Sequence, residues 1–420
     1  MYSGRIKRLA IMLVTVLLVS FFALPAASAA EAQTDADGNS ATSGSTGTDQ
    51  SALYYKYLES IAQYKYAKED IQIEDILNYT AEGTEYEGAD GTVSVLSNRL
   101  YEVLTDINSQ TKKSQTCLVW ADNSDALQQG TITYEITVPE DGIYNLAFTY
   151  LPLAKTKGTA TEDDDKETTN PVEISVLIDG ETLYPGLDAL SLPRYYVNDG
   201  ANFENPVGNI REDTLGNQLT PEQVMYSDFV TAYAVDPVGV VADPYKILLT
   251  AGTHKLTIKS VYEPFALASI TLKAPKDELT YEQYLAQYSN VADYNGAAIE
   301  IEGEDAWIKS TNSLVSKADN SSSDVTPNSP ITSKLNYIGN TNWQVPGETL
   351  TWKISVPQDG MYSLGLNFKQ SYIIDGFTYR SLAIDNVIPF EECKNLRFDY
   401  GSSWEFKKLG DENPYKFYLT

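Results

Sequence analysis

Thirty tyrosines and five tryptophans, set against one histidine and two cysteines, decide what chemistry this chain can offer. His254 precedes the strand-like run Lys255-Leu256-Thr257-Ile258, and Cys117 and Cys393 stand far apart. Histidine-dependent catalysis and histidine-built zinc sites are all but excluded. A bound ion would need oxygen ligands, which points to calcium. Carboxylates abound, but a glycoside hydrolase needs a pair about 5–10 Å apart, and no motif selects one. The densest acidic run, Glu162-Asp163-Asp164-Asp165, reads as a solvated loop. The aromatic residues carry the alternative. Their faces can lie against the C–H groups of a pyranose while Asn, Asp, Arg or Gln read its hydroxyls. Trp307, Trp343 and Trp404 sit beside turn-like residues and are candidate platforms. Tyr195 and Tyr196, flanked by Arg194 and the Asn198-Asp199-Gly200 turn, are the comparable group upstream. Tyr134, Trp352 and Trp120 fall at apolar strand positions and are assigned to the core.

The elements that must position these rings occur twice. GTITYEITVPEDGIY over residues 130–144 recurs as ETLTWKISVPQDGMY over 348–362, at a constant offset of 218. SVLIDG at 175–180 matches SLAIDN at 381–386 at offset 206, and DPYKILLT at 243–250 matches NPYKFYLT at 413–420 at offset 170. Upstream, IQIED at 71–75 resembles IEIEGED at 299–305, and the Tyr-rich helical segments YYKYL (54–58) and YEQYL (281–285) also correspond. Matches in the same order establish a duplication. The falling offset places twelve extra residues of the first copy near 155–170 and thirty-six more between about 196 and 242. Such insertions are expected as surface loops that carry recognition. Within the repeat, Ile132, Tyr134, Ile136 and Val138 alternate with polar residues, as do Leu350, Trp352, Ile354 and Val356. Pro-x-Asp-Gly supplies turn chemistry, and Tyr144, Leu146, Phe148 and Tyr150 read as the second strand of a hairpin. The fold class is therefore mainly β, with two β-sandwich domains, each preceded by a short helix.

Arg5, Lys7 and Arg8, the apolar run 9–24 and Ala27-Ser28-Ala29 make residues 1–30 a signal peptide. Residues 31–51, without an aromatic residue, read as a disordered linker. A helix is expected over 52–70, the first sandwich over 71–275, a helical linker over 276–298 and the second sandwich over 299–420. The second copy has no counterpart of the first copy's strands at 255–259 and 270–273, so it is expected to lack its closing strands. The net charge of −28 becomes −31 once the three leader cations are removed. A surface this acidic repels nucleic acid and anionic lipid and is compatible with neutral sugars.

The IEIEGEDA start, the TWKISVPQDGMY strand and turn, the Ile-Asp-Gly type turn and the GTHKL hairpin at 252–256 resemble the galactose-binding-like sandwiches of carbohydrate-binding modules. The paired arrangement with a Tyr-rich helix before each copy resembles the N-terminal region of large extracellular solute-binding proteins of Gram-positive carbohydrate transporters. The resemblance covers residues 52–420. It implies a calcium site at the start of each sandwich, with Glu300 and Glu302 as ligands in the second copy and Glu74, beside Gln72, in the first. The function implied is non-catalytic binding of an oligo- or polysaccharide outside the cell, with a membrane transporter as partner. The alternatives are a structural spacer or adhesion module, and an accessory region of a secreted polysaccharide-degrading enzyme.

Overall fold

The computed structural model describes residues 11–17, 46–73, 75–82, 85–87, 93–103, 113–120, 130–154, 170–410 and 412–420. Glu74, the 162–165 acidic run and most of residues 18–51 lie outside the described residues.

The first sandwich encloses one large core. Along Thr131–Val138, Ile132, Tyr134, Ile136 and Val138 are buried while the residues between them face outward, as the alternation requires. This strand pairs antiparallel with Gly252–Tyr262, which pairs with Val172–Ile178, and Leu190–Leu192 and Thr80–Glu82 complete a five-stranded sheet. The opposing sheet centres on Gly142–Pro152 and Phe265–Lys273, with Lys113–Trp120 and Ser97–Val103 beyond. Its outer face is also apolar around Cys117, Val119, Leu151 and Ala266 and is covered by Tyr101, Leu153 and Phe229.

The two alternating strands either side of Pro139 do not form the expected hairpin. Thr131–Val138 and Gly142–Pro152 belong to different sheets, and the Pro-x-Asp-Gly turn carries the chain across the core from one layer to the other. The second copy repeats this: Thr349–Ser355 lies in one layer, while Gly360–Ser363 pairs with Lys416–Leu419. Alternation marks which side chains face the core but not which strand is the neighbour, so it serves a corner as well as a hairpin.

The helices perform one task in both copies. In the first, Thr46–Ile61 begins earlier and ends sooner than the sequence suggested. Tyr54 and Tyr57, one turn apart, accept hydrogen bonds of 2.9 and 2.8 Å from the backbone N–H groups of Lys246 and Leu248. In the second, Tyr281–Gln287 starts with a capping box from Thr280 and Gln283. Tyr281 and Tyr284 accept at 2.8 Å from the N–H groups of Lys416 and Tyr418. Each helix thus satisfies the exposed edge of its sandwich with phenolic oxygens.

The second copy has its own cores, around Tyr284, Phe390, Phe417 and Leu419 and around Ala306, Leu314 and Leu350. The long insertion of the first copy is not a free surface loop. Its strands Tyr196–Asn198 and Gln223–Met225 extend the second sandwich's sheet, through the pairing of Tyr196 with Lys309 in Ile308–Lys309. Gln218 N donates to Ser333 O at 2.9 Å, Leu335 N to Gln218 Oε1 at 2.9 Å, and Lys334 pairs with Glu212. The insertion fastens the two sandwiches together. On its other side Thr349–Ser355 pairs with Ile11–Leu17, a segment of the expected leader, in full antiparallel register. No helix among the described residues is long and apolar enough to cross a membrane.

Candidate functional site

Several candidate residues turn out to build the fold. Trp307 is 5% exposed, wedged edge-on between Phe203 at 5.5 Å and Tyr226 at 6.1 Å, both supplied by the first copy's insertion. It is a junction core residue, not a platform. Arg194 is 2% exposed and forms an ion pair of 3.2 Å with Glu263, whose side chain is fully buried. Its Nε and Nη1 donate to Asn170 O at 2.6 Å and Leu153 O at 2.9 Å. Tyr196 is buried in the strand that bridges the copies, and Tyr195 beside it is half-buried, its phenol pushed up to about 12 by burial. Arg194 and Tyr196 are thus part of the packed interior, while Tyr195 keeps partial exposure. Trp343 is half-buried against Ala306, Leu314 and Leu350, with the Arg380 guanidinium 5.1 Å from its ring. Desolvation pulls that guanidinium down to about 10.

Trp404 remains, and the structure adds a neighbour that sequence reasoning missed. Glu405–Lys408 pairs antiparallel with Gly365–Phe368, placing Phe406 opposite Asn367. Trp404 and Phe406 are two residues apart, the spacing that puts side chains on one side of an extended chain. Phe406 is 65% exposed. A Cβ on Gly365 would fall 2.4 Å from its Cζ, so the missing side chain lets the ring lie down on the neighbouring strand. Trp404 is half-buried and held: its Nε1 donates to Asp319 Oδ2 at 2.9 Å, and Tyr337 meets its ring edge-on at 5.8 Å. Asp319 is fixed in turn. Asn336 accepts from Asp319 N at 2.7 Å and donates to Asp319 O at 3.0 Å. The Ser321 hydroxyl and the Trp404 indole N–H hold the Asp319 carboxyl below the usual range. One firmly positioned indole, one exposed phenyl and an ionised carboxylate thus lie on adjoining elements. Such a set can stack on an apolar ring face and accept hydrogen bonds from hydroxyls.

A cleft of about 290 Å³ is lined by Glu302, Glu304, Asp305, Ser316, Pro327, Leu335 and, from the insertion, Ile210 and Gln218. Glu304 is 6% exposed, its Oε2 has no hydrogen-bond partner, and burial, reinforced by Glu302 and Asp305, pushes its carboxyl up to about 8. The expected calcium ligands do not assemble here. Glu300 is exposed, both oxygens of Glu302 lie within 3.2 Å of Thr326 Oγ1, and Glu74 lies outside the described residues. Among the described residues no group of three or more acids, histidines or cysteines could hold a metal ion. The set does not fit an ion that takes six to eight oxygens.

His254 lies in Gly252–Tyr262, with Nδ1 2.7 Å from Asp179 Oδ2 and Nε2 2.8 Å from Thr250 O. Both ring nitrogens are engaged in a turn, away from the indole and phenyl shelf. Cys117 and Cys393 are separately buried free thiols in the two copies, and burial raises both pKa values.

No family model matches the chain, and no curated protein matches it. Solved structures do. A Podospora anserina β-(1,4)-mannanase with a family 35 carbohydrate-binding module is 12% identical at a TM-score of 0.22, over 54% of this chain. This chain spans only 36% of that mannanase. A family 35 carbohydrate-binding module from Clostridium thermocellum is 12% identical over 46% of this chain and 99% of its own length, with a TM-score of 0.19. The module CBM6cm-2 of a Cellvibrio mixtus lichenase, solved with cellotriose, is 10% identical over 49% of this chain and 97% of its own, also at 0.19.

Proposed function

We propose that this protein binds a neutral oligo- or polysaccharide outside the cell without catalysing a reaction on it, and that the Trp404–Phe406 shelf is the contact surface. The observation that carries this reading is the exposed Phe406 ring lying over Gly365, two residues along the chain from the Trp404 indole that the Asp319 carboxylate holds. A large ring left 65% in water, on the strand next to an indole held by a carboxylate, suits a ligand with one apolar and one hydroxylated face. The acidic surface argues against nucleic acid as the alternative. The finer reading follows from the resemblance in the sequence: the chain forms the N-terminal part of a solute-binding component of a carbohydrate ABC transporter, exported by its leader.

Affinity electrophoresis of the full chain against β-glucan, mannan and α-glucan gels tests the proposal. Retardation by at least one gel is expected, and Phe406→Ala is expected to weaken it about 10-fold, the equivalent of ~1.4 kcal/mol. Retardation by none, or retardation unchanged in both Phe406→Ala and Trp404→Ala, would refute it. A second reading, a rigid spacer, is favoured by the strand pairing that joins the two copies. It predicts no retardation by any gel.

A further inference from the structure

The strand pair that carries Phe406 has an equivalent in the first sandwich. The repeat offset of 218 makes Ala147 the counterpart of Gly365 and Thr149 that of Asn367. Val230–Tyr233 pairs antiparallel with Gly142–Pro152, with Thr231 opposite Thr149 and Tyr233 opposite Ala147. Glu405–Lys408 pairs with Gly365–Phe368 in the same register, with Phe406 opposite Asn367 and Lys408 opposite Gly365. The two outer strands are therefore equivalent in space, although VTAY and EFKK share no residue. The residue before each strand is equivalent too, Phe229 in the first copy and Trp404 in the second. Phe229 meets Tyr101 edge-on at 6.4 Å, as Trp404 meets Tyr337 edge-on at 5.8 Å.

Along Val230–Tyr233, Ala232 is buried while Thr231 and Tyr233 face water, Tyr233 with 40% of its surface. Each copy thus sets an exposed ring against a small residue at one position of the neighbouring strand. Phe406 lies over Gly365, and Tyr233 has Ala147 as its register partner. Hydroxyls surround the tyrosine. Thr231 Oγ1 and Thr149 Oγ1 are 2.9 Å apart on the exposed side of the sheet. On the next strand Ser269 and Thr271 are the register partners of Thr149 and Ala147, which puts their side chains on the same face. One exposed tyrosine is ordinary protein surface. Two unlike sequences that bring an exposed ring to the same place in the sheet, each beside a small residue, point to a shared use.

We propose that the outer face of the first sandwich around Tyr233 is a second contact surface for the same neutral polysaccharide. The Tyr233 ring stacks on the apolar face of a sugar residue, and the Thr149 and Thr231 hydroxyls bond its hydroxyls. This rests on the reading of the Trp404–Phe406 shelf as a carbohydrate contact and adds a site on the other sandwich. A long polysaccharide engages both faces at once, so their affinities reinforce each other beyond a simple sum.

The experiment is affinity electrophoresis of the full chain, of Tyr233→Ala, of Phe406→Ala and of the double variant against β-glucan, mannan and α-glucan gels. Tyr233→Ala is expected to weaken retardation about 10-fold. Phe406→Ala should keep a residual retardation, which the double variant loses. If Tyr233→Ala is retarded as the unaltered chain is while Phe406→Ala is weakened, the proposal is overturned and the shelf reading stands. If no gel retards the unaltered chain, both are overturned. Should Tyr233→Ala fail to fold, hydrogen exchange of the unaltered chain decides. Adding the polysaccharide that retards it is expected to slow exchange of the 230–233 amides, and unchanged exchange there overturns the proposal.

Discussion

Lys309 Nζ donates to Asn198 Oδ1 at 2.9 Å, and that bond crosses from the second sandwich to the insertion of the first. Gln223 Nε2 donates to the same oxygen at 2.8 Å, so the amide of Asn198 is the polar centre of the junction. The lysine side chain has no exposure to solvent, and desolvation alone pulls its ammonium down to about 8. Between about pH 8 and 10.5 the folded lysine has shed a proton that the unfolded one still binds. Stability therefore rises with pH across that window. Lys309→Met is expected to be neutral or stabilising at pH 7, because the charge that must be desolvated is removed while Gln223 still bonds Asn198. It should also abolish the rise, which is worth on the order of 3 kcal/mol. Urea unfolding at pH 7, 8, 9 and 10 measures both effects, and a preserved slope in the variant would contradict this account of the junction.

Glu304 titrates in the opposite sense. Its carboxyl, pushed up to about 8, binds a proton in the folded protein at pH values where the unfolded chain, near 4.5, has lost it. Its stabilising contribution is present below about pH 4.5 and is lost as pH rises through 8. Glu304→Gln keeps the shape of the neutral acid. It is expected to leave the melting temperature at pH 5 within about a degree, and to raise it at pH 9 by several degrees, at ~2–4 °C per kcal/mol for a domain of this size. Melting curves at the two pH values suffice. A variant that melts lower at pH 9 would show that the ionised carboxylate has a partner in the cleft.

The paired phenols of the helices support a prediction repeated in both copies. Tyr284 accepts from Tyr418 N at 2.8 Å, as Tyr57 does from Leu248 N. Removing either hydroxyl leaves a part-buried strand N–H without its acceptor, at a cost of about 1–3 kcal/mol. Tyr284→Phe is expected to speed exchange of the Tyr418 amide without affecting that of Leu248, and Tyr57→Phe to do the reverse. Native-state hydrogen exchange reads both amides in one sample. Equal acceleration at both sites would mean that the sandwiches open as one unit.

What the sequence discloses of this fold is set by which interactions are local. Ile132, Tyr134, Ile136 and Val138 declare a buried face through a period of two, and the same period repeated 218 residues later declares the duplication. The neighbour of a strand is not written in its own residues. Thr131–Val138 and Gly142–Pro152 therefore read as a hairpin although they lie in opposite layers. Trp307 read as exposed because the residues that bury it, Phe203 and Tyr226, arrive from an insertion in the other copy. Phe406 did leave a signal: in Trp404-Glu405-Phe406-Lys407 an aromatic residue sits between two charges, two residues from the candidate ring of Trp404. The Gly365 that lets it lie flat is forty-one residues away in sequence and meets it only through strand pairing.

Arg194 offers the sharpest test of a residue whose type suggests a ligand and whose surroundings assign it to the scaffold. Its guanidinium bonds two backbone carbonyls, of Asn170 and Leu153, and pairs with Glu263. Glu263 itself adopts a φ of 67°, a left-handed conformation that a glutamate holds only when its surroundings require it. Truncating the arginine leaves a buried carboxylate uncompensated and two carbonyls short of donors, so Arg194→Ala is expected to cost about 3–5 kcal/mol. Were Arg194 instead a sugar ligand, the same change would weaken polysaccharide retention with little loss of stability. Urea unfolding together with affinity electrophoresis of one variant separates the two. Because Arg194 and the Trp404–Phe406 shelf belong to different sandwiches, any Arg194→Ala protein that remains folded should be retarded as the unaltered chain is.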